Sequence, residues 1–307
     1  MGELIQGQWH NTPIAKHSPQ GAFVRPRSSF GHTISNEAHA TFAAEKNRYH
    51  LYIASACPWA HRTLIMRQLK GLEEVITVSA VTPIIRDHGW EFDADHPDPL
   101  DNKQRLYEIY QQAEPQYTGR VTVPVLFDKH QRTIVNNESS EIMRILNSAF
   151  EEWAQTDYDA YPPSQQSEID QWNALIYEHI NNGVYRCGFA TSQTAYNEAY
   201  QQLFATLDQL EQHLGDSPYL CGEQHTEADW RLFVTLIRFD AVYYSHFKCN
   251  RQRIQDYPHL HRYVSTLYHW REIKNTVNVD EIKTHYYASH KAINPTGIIA
   301  NGPTVLF

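Results

Sequence analysis

The sequence predicts an α/β domain followed by an all-helical domain, and three observations carry that prediction. Up to about Phe150, strand-length apolar runs alternate with helical stripes in the order βαβα and then ββα. The segment Tyr161-Pro162-Pro163-Ser164 then breaks the pattern, as a linker does. Beyond Ser164 only stripes of helical period remain. The expected divisions are an N-terminal arm over 1–47, an α/β domain over 48–150, and a helical domain with a C-terminal tail over 164–307.

The arm is polar, with scattered Pro, Ser, Asn and His. Phe23, Phe30 and Phe42 are its anchors, and a loose tail is the competing reading for the first twenty residues. Tyr49-His50-Leu51-Tyr52-Ile53 reads as a buried strand. A helix follows, with Pro58 in its first turn, where a missing N–H costs nothing. Ile65, Leu69 and Leu72 form its core stripe, and Gly71 closes it. The β-branched run over 75–81 reads as a buried parallel strand, completing a βαβ unit. Residues 82–101 are irregular and contain Trp90. Leu106, Ile109, Tyr110 and Ala113 mark a second helix.

Pro124 stands inside the strand pattern of 121–128 and calls for an edge, a bulge or a cis bond. A polar turn over 129–132 leads into the hairpin partner over 133–137. Glu138-Ser139-Ser140-Glu141 then opens a helix through Ile142, Ile145 and Leu146, with Ser139 as its N-cap. In the second half, Trp172, Leu175 and Ile176 form one face, and Leu203, Leu207, Leu210 and Leu214 another that ends at Gly215. Thr226 and Asp229 form a capping box for the next helix. Leu260, Tyr263, Val264 and Leu267 supply a further face, and Val279, Ile282 and Tyr286 a last one. About five to seven helices are expected, with a packed extended tail from Ile293.

A net charge of −9 argues against nucleic acid or an anionic membrane as partner. Aromatics make up 12% of the chain, including 19 Tyr, so flat surfaces with polar edges are available. Cys57, Cys187, Cys221 and Cys249 are far apart, and no pair has metal-ligand spacing. So few cysteines point to a reducing compartment. The N-terminus lacks a signal pattern, and no apolar run is long enough to span a bilayer. The expectation is a soluble cytoplasmic protein without a metal. His259 and His261 read as solvated helix residues rather than ligands.

The chemistry centres on Cys57, which stands where a strand ends and a helix begins. Unpaired backbone N–H groups and the positive end of the helix dipole favour its thiolate, which is the nucleophile. His61 and Arg62 add nearby positive charge. Ala60 stands where a dithiol motif carries its second cysteine. A lone thiolate cannot close an internal disulfide, but it can hold an outside thiol until a second thiol removes it. A buried structural cysteine is the alternative.

A reactive cysteine at a strand–helix junction, a Val-Pro turn and a Glu-Ser helix start together resemble the thioredoxin-like half of glutathione transferases. The helical half is similar to their second domain. The closer resemblance is to the Xi class, the glutathionyl-hydroquinone reductases. It is carried by Cys57-Pro58-Trp59-Ala60-His61-Arg62, Gly119-Arg120-Val121-Thr122-Val123-Pro124, Asn137-Glu138-Ser139, Asn181-Asn182-Gly183-Val184-Tyr185, His246-Phe247-Lys248-Cys249 and Asn294-Pro295-Thr296-Gly297-Ile298.

The resemblance implies that glutathione is the co-substrate and Cys57 the catalytic thiolate. It places Trp90 along the bound glutathione and Arg120 on one of its charged groups. The main chain of Val123, before a cis Pro124, would pair with the cysteinyl backbone. Glu138 and Ser139 would hold the γ-glutamyl end. Tyr185 and Tyr286 would line the acceptor site as catalytic residues, with helix packing as their plain alternative. The implied reaction removes glutathione from aromatic glutathionyl-hydroquinones through a Cys57–glutathione mixed disulfide and yields oxidised glutathione. A homodimer through the helical half is implied as well. Arg186 and Cys187 after Tyr185, and Tyr287 after Tyr286, depart from the family pattern. An omega-like thioltransferase or dehydroascorbate reductase using the same Cys57 is the alternative enzyme. A non-catalytic transferase-like docking module is the alternative outside enzymes.

Overall fold

A computed structural model describes residues 2–26, 28–37 and 39–303. The chain divides into two compact units, Met1–Ile14 with Pro26–Tyr158, and Ala15–Arg25 with Asp159–Phe307.

The first unit is built on a four-stranded mixed sheet. Its order is Thr77–Ala80, Tyr49–Ile53, Val125–Asp128, Thr133–Asn136. Tyr49–Ile53 is buried at all five positions and is the heart of the sheet. It runs parallel to Thr77–Ala80 and antiparallel to Val125–Asp128. The run over 75–81 was expected as a buried strand, but it lies at the sheet edge. Thr77 is exposed, while Val75, Ile76 and Val81 are buried on either side of the paired segment. Its β-branched residues therefore serve the loops as much as the strand. The helices Pro58–Leu69 and Ser139–Ser148 pack on each other, and Leu106–Ala113 packs on Thr133–Asn136.

Gly71 closes the first helix as its position suggested. Leu72 N–H donates to Arg67 O at 2.9 Å and Gly71 N–H to Gln68 O at 3.1 Å, the paired bonds of a Schellman end. Gly71 has φ +65°, and an added Cβ would meet Gln155 Cβ at 2.6 Å. Gly71→Ala should therefore lower stability by about 1–3 kcal/mol, read as an earlier urea midpoint at unchanged slope. An unshifted midpoint would mean that this helix end contributes little.

The arm is ordered where a loose tail was the competing reading. Glu3–Ile5 pairs with Gln8–His10 on one side and Gly119–Arg120 on the other, and Leu4 is fully buried. Phe30 packs on Tyr110 and Tyr117.

In the second unit a short hairpin, Lys16–His17 with Phe23–Val24, accompanies the helices. These are Gln166–Ile176, Gly183–Gly188, Gln193–Asp216, Glu227–Arg238, Pro258–Tyr268 and Val279–Ser289. The leucine stripe of the longest helix is buried, but the helix passes through Gly215 to Asp216. Asp229 anchors the capping box. Its carboxylate accepts from Thr226 N–H at 2.6 Å, Leu220 N–H at 2.9 Å and Tyr263 O–H at 2.9 Å. Two π-turns, Tyr177–Asn181 and Phe239–Tyr243, extend helices and re-aim the residues after them. The tail was expected to pack on the body, yet Ile298 is 71% exposed. Among the described residues no helix is long and apolar enough to cross a membrane.

Candidate active site

Cys57 occupies the N-cap position of Pro58–Leu69, half-buried, with extended backbone and Pro58 at N1. Its thiol donates to the carbonyl of Val123 at 3.7 Å. The Val123–Pro124 peptide is cis, one of the three options the sequence left open. Cys57 thus stands at the helix start without a side-chain capping bond, and the Val123 main chain borders its sulfur.

The next helix start is one residue earlier than expected. Glu138, not Ser139, is the N-cap, because its carboxylate accepts from Ser140 N–H at 3.2 Å. Ser139 is the first helical residue, and its hydroxyl meets Glu138 Oε1 at 3.4 Å. Arg62 reaches from the Cys57 helix to donate to Ser139 Oγ at 3.4 Å, and its guanidinium lies 4.4 Å over the Trp59 ring. Buried Arg62 therefore links the two helix starts that carry Cys57 and Ser139. Ser28 of the arm donates to the other Glu138 oxygen at 3.0 Å.

Arg120 lies on the short strand beside Glu3 and meets its carboxylate at 4.0 Å. Trp90 is 2% exposed, and its carbonyl accepts Leu106 N–H at 2.9 Å. Its main chain thereby sets the start of the second helix. The structure brings together Cys57 with Val123, and Glu138 with Ser139. Trp90 is an interior residue, and Arg120 is engaged by the arm.

In the second unit, Tyr185 and Tyr286 come from helices a hundred residues apart, yet their hydroxyls are 2.7 Å from each other. The Tyr286 hydroxyl also lies 2.8 Å from that of Tyr243. Three phenols thus form one chain, with Tyr185 half-buried and the other two fully buried. Burial pushes Tyr243 and Tyr286 well above the ordinary tyrosine range, with the Arg238 charge opposing. Both stay neutral donors near pH 7. Tyr287 turns elsewhere, to Ala241 O at 3.4 Å and the Ser245 hydroxyl at 2.5 Å. Cys187 lies beside Cys249, both buried, and no cysteine is in a disulfide. Among the described residues no group of three or more His, Cys, Asp or Glu is arranged to hold a metal.

Comparison with known proteins decides the family. The glutathione S-transferase N-terminal domain family matches residues 56–149, and the C-terminal domain family matches 193–265. Glutathionyl-hydroquinone reductase YqjG of Escherichia coli (strain K12) is 51% identical over 313 residues, spanning 99% of this chain and 95% of its own. Glutathionyl-hydroquinone reductase PcpF of Sphingobium chlorophenolicum is 51% identical over 306 residues, spanning 99% and 96%. The solved glutathione-bound structure of YqjG, a glutathione transferase homolog from Escherichia coli K-12, has a TM-score of 0.90 at 48% identity, covering 98% of this chain and 96% of that one. The glutathione-S-transferase Xi from Phanerochaete chrysosporium has a TM-score of 0.91 at 48% identity, covering 94% and 95%. The chain belongs to the Xi-class glutathione transferases, the glutathionyl-hydroquinone reductase family.

Two further residues shape this Xi-class site. Tyr110 is buried, and its hydroxyl donates to Thr122 O at 2.9 Å and accepts from Asn137 Nδ2 at 3.1 Å. It pins the Val123 loop to the turn before Glu138. In the sequence Tyr110 is only one position of a helical stripe, which signals burial and nothing about its hydroxyl. Tyr243 has no signal beyond its aromatic character, because a π-turn sets its direction.

Proposed function

We propose that this chain is a glutathionyl-hydroquinone reductase working through Cys57. The observation that carries the reading is a lone sulfur at a helix start beside the Val123 main chain, in a chain 51% identical to two reductases of that name. Residues 48–150 form the glutathione-binding part. The Val123 main chain pairs with the cysteinyl backbone of glutathione. Glu138 takes the γ-glutamyl ammonium, and Ser139 with the helix start takes its carboxylate. Arg120 meets a charged group of glutathione and exchanges with Glu3 to do so. Trp90 backs the ligand.

The chemistry balances with one proton in transit. Cys57 thiolate attacks the glutathione sulfur of the aryl thioether, a Cys57–glutathione disulfide forms, and the C–S electron pair leaves on the ring carbon. Tyr185 gives that carbon its proton, and the resulting phenolate is held by the Tyr286 hydroxyl. A second glutathione thiol then releases oxidised glutathione, restores the Cys57 thiolate, and returns a proton to Tyr185. A homodimer in the cytoplasm is part of this reading.

The second reading is an omega-like thioltransferase. It draws on a relative named glutathione S-transferase omega-like 2, from Schizosaccharomyces pombe, 47% identical and spanning 95% of this chain and 97% of its own. The test compares the glutathione thioether of hydroquinone with the glutathione mixed disulfide of mercaptoethanol. Tyr185→Phe should slow the thioether about 10- to 100-fold and leave the mixed disulfide unchanged, because thiolate leaving groups need no carbon protonation. A wild-type preference for the mixed disulfide, insensitive to Tyr185→Phe, would favour the second reading.

A further inference from the structure

The phenol chain has one member that is not fully buried. Tyr286 and Tyr243 are buried, so Tyr185 is the member that an acceptor ring can reach. Arm side chains flank that ring. Arg25 carries its guanidinium 4.8 Å over the face of the Tyr185 ring and 5.2 Å over Phe23. The cation is not left to wander, because Arg25 Nε donates to Asn182 Oδ1 at 2.6 Å. Asn182 directly precedes the helix Gly183–Gly188 that bears Tyr185. Phe23 in turn packs on Tyr185 at 6.2 Å and on Phe189 at 5.6 Å.

We infer that Arg25 is a positioning residue for proton transfer by Tyr185, holding the ring from the arm side and stabilising the phenolate left when the proton departs. A cation over a tyrosine face interacts with the ring more strongly once negative charge develops there. Charged and titratable groups reach Tyr185 and its partners from several elements, among them His17, which meets the carbonyl of the stacked Phe189, and His246, His285 and His290, whose rings pack on Tyr286. Arg25 lies on its face, Tyr286 at its hydroxyl and Tyr243 behind, with Arg238 acting on those two from the far end. Arg25 thus acts on half-buried Tyr185, and Arg238 on the buried pair. The role rests on the reductase reading, in which Tyr185 gives a proton to the departing ring carbon.

The test uses Arg25→Met, which keeps length and removes charge, and Arg25→Lys, which keeps charge. Both are assayed in the full chain with the thioether of hydroquinone and the mixed disulfide of mercaptoethanol. Arg25→Met should lower kcat on the thioether about 3- to 30-fold, the rate equivalent of a cation–π contact, with KM little changed. The mixed-disulfide rate should not move. Loss of the cation disfavours the phenolate, so the alkaline limb of kcat should rise by about half a unit to one and a half units while the plateau falls. Arg25→Lys should restore part of both. An unmoved alkaline limb, or equal losses on both substrates, would overturn the inference, since lost packing alone predicts them. If wild type turns over the thioether no better than the mixed disulfide, the reductase reading falls, and the role assigned to Arg25 falls with it.

Discussion

Cys57→Ser should lower turnover of the glutathione thioether of hydroquinone by at least about 10³-fold, because the step that fails is covalent. Serine keeps the size, the N-cap position and a donor to Val123 O, so the helix start and the neighbouring loop remain as they are. A hydroxyl at neutral pH is scarcely ionised and cannot form a disulfide with glutathione. No other sulfur takes over, since Cys187, Cys221 and Cys249 are buried in the second unit. The thermal midpoint should stay close to wild type, and glutathione should still bind. With oxidised glutathione, mass spectrometry should find one adduct in wild type, on Cys57, and none in the variant. Retained turnover in Cys57→Ser would mean that the sulfur is not the nucleophile.

The parts of this site that could be read in advance are those built from local sequence. A strand followed by Cys-Pro and an apolar stripe specifies a helix whose first turn faces the cysteine, whatever packs around it. The Val-Pro turn and the Glu-Ser helix start are equally local. What stayed hidden depends on distant partners. Tyr110 and Tyr243 act through hydroxyls whose directions are set by tertiary packing and, for Tyr243, by a π-turn without a sequence signature. The Glu3–Ile5 strand is only three residues long, and its pairing with Gly119–Arg120 spans more than a hundred positions. The N-cap misreading had a different cause. Ser is the commoner cap, yet Glu138 sits where its longer side chain can turn back to Ser140 N–H. The edge strand was misjudged because β-branched composition reports β conformation better than it reports burial.

Acid should destabilise the fold steeply between about pH 6.5 and 5, where most carboxylates have already finished titrating. Burial lowers His50, His225 and His246 to about 4, and lowers His290 well below its ordinary value. The chemistry agrees with neutral rings. His246 Nε2 and His290 Nδ1 are 3.1 Å apart, a bond that needs one donor and one acceptor and is lost when both rings are protonated. His290 stacks at 10° on Phe247, with His285 nearby as a further charge if protonated. His50 is more tolerant, because its partners are the hydroxyls of Thr77 and Ser79, which can turn to accept. These folded-state values lie below the unfolded one, so the unfolded chain binds more protons in this window. The stabilisation is whole above about pH 6.5 and is lost as pH falls towards 4. Each such histidine contributes ~1.4 kcal/mol per pH unit once the unfolded ring is protonated. Asp229 and Asp240, raised by burial, run the other way and reduce the slope. Urea titrations between pH 7.5 and 5 should therefore show a falling midpoint, and His290→Phe, which keeps a flat ring against Phe247, should flatten the slope by about one proton. A midpoint independent of pH across this range would mean that these rings are solvated, or already charged, in the folded chain.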